Sequence, residues 1–95
     1  MIDVAATFEK FADEFLKFER IENPQSKRPD LCAFLLLERL VPGDKDIVSA
    51  AEHDEIWLAV EVEQIAAVAT EDDIRTLVRC GVRFDDDNES LAMFA

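Results

Sequence analysis

Residues 70–94 read TEDDIRTLVRCGVRFDDDNESLAMF, and this stretch decides the fold. Thr70 can cap a helix, with Asp73 three residues on as a shorter stand-in for the Glu or Gln of a capping box. Glu71, Asp72 and Asp73 place three negative charges on the first turn, where the helix dipole stabilises them. Ile74, Leu77 and Val78 recur at i, i+3 and i+4, so one face is apolar. Arg75 and Arg79 fall towards the C-terminal end, and Gly81 suits the left-handed position just past a helix. Beyond it, Val82 and Phe84 alternate with Arg83 and Asp85, and Leu91 and Met93 alternate with Ser90, Ala92 and Phe94. Two alternating runs around a polar cluster predict a hairpin over an acidic turn of four residues or more.

Working upstream, residues 63–69 predict a short helix. Residues 56–62, IWLAVEV, predict a strand with Ile56, Leu58 and Val60 on one face, the natural third strand for the hairpin. Residues 44–55 read as a polar connection with a small apolar patch at Ile47 and Val48, and with the one histidine on its surface. Residues 31–41, LCAFLLLERLV, are apolar almost all round. Their length, their leucines and a possible cap at Asp30 favour a buried helix, which Pro42 and Gly43 end. Residues 22–30 are a loop punctuated by Pro24 and Pro29. A first helix is expected from Asp3 to about residue 21, with Val4, Phe8, Phe11, Phe15 and Phe18 on one stripe as core. Lys10 with Glu14, and Asp13 with Lys17, make i,i+4 pairs on its opposite side. The fold class is therefore α+β: a small antiparallel sheet, one strand plus the C-terminal hairpin, packed against N-terminal helices. Ninety-five residues make one domain, 1–95.

The charge is uneven. Ten basic against 22 acidic residues give −12, and residues 43–95 carry −10 of it. Such a balance repels nucleic acid and anionic membranes and favours basic partners. Cys32 and Cys80 lack metal-ligand spacing, no apolar run is long enough to span a bilayer, and no signal peptide is read at the start. These features predict a cytoplasmic protein with reduced thiols.

No nucleophile and base suggest a catalytic pair, and residues 42–46, PGDKD, lack the second glycine and Lys-Ser/Thr ending of a phosphate loop. Asp85, Asp87 and Glu89 have the spacing that opens an EF-hand loop. Ser90 stands where its glycine is required, though, and no twelfth-position glutamate follows. The expectation is no enzyme, no cofactor and no metal.

At AEHDEIWLAV (51–60) and RCGVRFDDDNESLAMF (79–94) the chain resembles small acidic proteins carried by bacterial phages and prophages. The resemblance implies a mobile-element origin and brings no activity or site residues with it.

The leading functional expectation is a non-catalytic module that binds a basic surface on a partner protein through Asp85, Asp86, Asp87 and Glu89. Glu52, Asp54 and Glu55 join them if that loop lies nearby. The alternatives are a DNA mimic that inhibits a nucleic-acid-binding protein of host defence, and a structural homo-oligomer paired through the phenylalanine stripe or a sheet edge.

Overall fold

The structure, a computed structural model, describes residues 1–43 and 46–94. Its centre is the helix that the sequence marks most fully, Glu71–Arg79. Thr70 Oγ1 accepts from the Asp73 amide and the Asp73 carboxylate accepts from the Thr70 amide, so both halves of the capping box form. A cap of this kind contributes about 1 kcal/mol. Ile74, Leu77 and Val78 are buried on one face, and this helix touches the first two α-helices and the following strand.

In chain order the elements are α1 (Val4–Lys10), two 3-10 turns (Ala12–Glu14 and Phe18–Arg20) and α2 (Pro29–Leu40). After them come β1 (Val48–Glu52), β2 (Glu55–Leu58), α3 (Val62–Val68), α4 (Glu71–Arg79), β3 (Val82–Asp85) and β4 (Ser90–Phe94). The fold is α+β. The sheet order is β1-β2-β4-β3, antiparallel throughout, so the C-terminal hairpin does receive β2 as its third strand. Register and alternation put Ile56, Met93 and Val82 in one row, with Phe84 and Leu91 beside them, against the helices. The next row, Trp57, Ala92 and Arg83, faces away.

Five expectations need correcting, the smallest being that the second helix has Arg28 as its N-cap and opens at Pro29, so Asp30 lies inside its first turn. The first helix stops at Lys10 and gives way to the 3-10 turns. The Leu16 backbone is left-handed (φ 63°), and its amide donates to the Val78 carbonyl at 3.1 Å, so this segment docks on the end of α4. Phe8 is buried, while Phe11, Phe15 and Phe18 pack half-buried against the core. The expected i,i+4 pairs give way to longer-range ones, Lys10 with Glu71 and Glu14 with Arg79. The polar connection contains β1, a strand exposed along its whole length. The sheet thus has four strands, and the stretch around His53 is a β1–β2 hairpin. The start of that connection, Asp44 and Lys45, lies outside the described residues. β2 ends at Leu58, and Val62 already belongs to α3 with Glu61 as its N-cap. No helix among the described residues is long and apolar enough to cross a membrane.

Candidate functional site

The two acidic segments singled out from sequence lie at opposite ends of the sheet. β2 and β4 pair with Glu55 opposite Phe94 and Trp57 opposite Ala92. The β1–β2 turn therefore sits at the Phe94 end, and the β3–β4 turn sits at the Ser90 end. Glu52 and Asp54 are exposed but remote from the acidic tip. Glu55 is half-buried in an ion pair with Arg83, whose guanidinium also stacks 4.9 Å from the Phe94 ring centroid. The condition under which these three residues would join the tip is not met.

Asp85 has a different task from its neighbours. Its carboxylate accepts from Trp57 Nε1 at 2.7 Å, Asn88 Nδ2 at 2.8 Å and the Asp87 amide at 3.0 Å. It ties β2 to β3 across β4 and shapes the turn. The Trp57 N–H first, then the Asn88 amide, hold the Asp85 carboxyl below its ordinary value. Since the ionised form gains these bonds only in the folded chain, its contribution is full above about pH 4, the unfolded value. It is lost as pH falls through the lower folded value. Trp57 is the single tryptophan, so its fluorescence should report a transition below the usual carboxylate range. Asp85→Asn should abolish that transition, and an unchanged low-pH titration in the variant would refute the assignment.

Asp86, Asp87 and Glu89 are exposed, and Glu89 adopts a left-handed backbone (φ 49°) that closes the turn. Asp86 and Glu89 line a hollow together with Asp3, Glu61 and Glu63, over an apolar floor that includes Val62 and Phe84. Three separate segments meet there: the cap of α1, the start of α3 and the hairpin turn. The Ile2 amide donates to the Ala66 carbonyl at 3.1 Å and holds the chain start on α3. Asp87 is not part of the wall.

Charge compensation sets this hollow apart. The three acids that open α4 each have a cation: Lys10 lies 2.8 Å from Glu71, Arg75 lies 2.6 Å from Asp72, and Arg39 lies 3.4 Å from Asp73. Among the described residues no Lys or Arg lines the hollow, and none forms an ion pair with its five carboxylates. The acidity continues on either side. Glu61 also borders a hollow that contains Glu38 and Asp46, while Asp3 and Asp86 also border a groove that contains Glu9.

Sequence reading found Asp86 and Glu89 but missed Asp3, Glu61 and Glu63. Asp3 was legible as a helix cap, and Glu61 and Glu63 as acids at a strand-to-helix junction. Their convergence is a tertiary fact. Among the described residues no group of three or more His, Cys, Asp or Glu is placed to hold a metal ion. Both thiols are buried, and burial pushes Cys80 up to about 12, so it stays protonated near neutral pH.

No protein-family model, curated protein or solved structure matches this chain.

Proposed function

We propose that this chain is a non-catalytic module that binds a basic segment of a partner protein. The observation that carries the reading is the uncompensated hollow of Asp3, Glu61, Glu63, Asp86 and Glu89. Like charges on a concave, partly apolar wall focus the field outward and raise the encounter rate of a cationic partner. Exposed charges of this kind are screened beyond about 10 Å at 0.1 M salt, so binding should weaken as salt rises. The mobile-element origin implied by the sequence resemblance makes a bacterial lysate the natural source of partner.

The test compares the immobilised chain with two variants in low and high salt. A partner held at low salt should be lost by the combined Glu61→Gln, Glu63→Gln, Asp86→Asn, Glu89→Gln variant. It should be kept by Glu52→Gln with Asp54→Asn, at the far end of the sheet. Equal retention by both variants would remove the hollow from the mechanism.

A second reading, mimicry of DNA, draws on the continuity of acids through Glu38, Asp46, Glu61, Glu63, Asp86 and Glu9 along adjoining concavities. Duplex DNA carries one charge per roughly 1.7 Å of axis, so a mimic needs such a row. Displacement of the captured partner by added duplex DNA favours this reading; a partner that DNA cannot displace favours the first.

A further inference from the structure

We propose that the groove between α1 and the β3 edge takes an extended segment of the partner as a fifth strand, one in which apolar residues alternate with lysine or arginine. This deepens the reading above and rests on it for the basic character of the partner. β3 is an edge strand whose one strand neighbour is β4. Among the described residues no further backbone hydrogen bond engages Val82–Asp85, so half of its amides and carbonyls are left to an incoming chain.

What lies beside that edge is a groove of about 830 Å³. Phe8 and Phe15 from the N-terminal segment, with Val82 and Phe84 from β3, supply an apolar wall, and Ala5 and Ala6 leave room on α1. The other edge, β1, is exposed at every residue. A strand added there gains backbone bonds alone. Strand addition acquires specificity when side-chain pockets flank the edge, and on the β3 side α1 supplies such a wall.

Length and charge then define the occupant. β3 spans four residues, about 13 Å at strand rise. Asp3 and Glu9 lie six residues apart along the α1 side, about 9 Å at helical rise. A segment of roughly four or five residues fits, with alternate side chains turned to the apolar wall and to the rim. The rim carries Asp3, Glu9 and Asp86, while its one cation, Arg83, is already paired with Glu55 and stacked on Phe94. A helix in the groove would leave the β3 groups unpaired. A second copy would bring its own −12 charge to an acidic rim. A basic, alternating strand meets both demands.

The test uses the full chain and two acetylated, amidated seven-residue peptides of equal composition at low salt. One alternates lysine and valine; the other has its lysines in one block. The alternating peptide should bind about tenfold more tightly and slow amide exchange across Val82–Asp85. The exposed-site variant Ala6→Phe, which fills the groove, should erase that advantage while leaving the circular dichroism unchanged. Equal binding of both peptides, with no β3 protection and shifts confined to Glu61 and Glu63, overturns strand addition and leaves the basic-partner reading standing. Absence of binding by either peptide overturns both, and a mass corresponding to two copies without peptide protection overturns the assigned occupant.

Discussion

Leu77→Ala should cost about 2–5 kcal/mol of folding stability, the range for emptying a fully buried leucine site. Leu77 has no exposed surface and sits on α4, which packs against α1, α2 and β3. The cavity therefore opens on the buried face of the helix that packs against all three. Small domains hold roughly 5–15 kcal/mol in total, so this loss is a large fraction of the reserve. Urea unfolding should show a much lower midpoint with an unchanged slope. Leu35→Ala, on the exposed face of α2 at 41% exposure, should change stability by no more than about 0.5 kcal/mol. A Leu77→Ala midpoint close to that of Leu35→Ala would show that α4 is not the centre of the core.

α4 and the hairpin were legible because each of their signals is local. The cap lies three residues from its partner, the apolar face repeats within nine residues, and Gly81 follows directly. The first helix was misread because its phenylalanine stripe satisfies helical spacing well past Lys10. The break comes from outside the segment. The Leu16 amide donates to the Val78 carbonyl, and Arg79 reaches Glu14 at 2.5 Å. These contacts draw residues 12–20 onto the end of α4 and outweigh continuation of α1. β1 was missed for the opposite reason. VSAAE is exposed throughout, so no burial alternation marks it, and its pairing with β2 supplies the specification.

The candidate site shows the same division. The acidity of residues 85–89 is plain in the sequence, but the uses of the individual carboxylates are not. Asp85 binds Trp57, 28 residues away, and Glu55 pairs with Arg83 at the same separation. Asp86 and Glu89 join Asp3, Glu61 and Glu63 only because the sheet end, the α1 cap and the start of α3 converge. Charge counts place most of the net acidity in residues 43–95. The ion pairs that neutralise α4 decided which acids remain uncompensated.

Gly81→Ala should cost about 1–3 kcal/mol, and for a reason unlike that of Leu77. Gly81 follows the C-cap of α4 with φ +95°, a backbone region that an L side chain occupies at a penalty of roughly 1–2 kcal/mol. An alanine Cβ built there would also lie 2.7 Å from Leu16 Cδ2. That atom is the end of a flexible side chain 58% exposed, so it can swing aside, whereas the backbone angle cannot relax without moving β3. The backbone should therefore carry most of the cost. Chemical denaturation of Gly81→Ala, Leu16→Ala and the double variant separates the two contributions. Additive losses within about 0.5 kcal/mol place the cost in the backbone, while strong coupling places it in the Leu16 contact. The distinction bears on binding as well. Gly81 sets the direction in which Val82 leaves α4 and enters the β3 edge. A backbone-strained variant should weaken binding of the alternating peptide at the groove, while binding that depends on Glu61 and Glu63 on α3 and its cap should be largely retained.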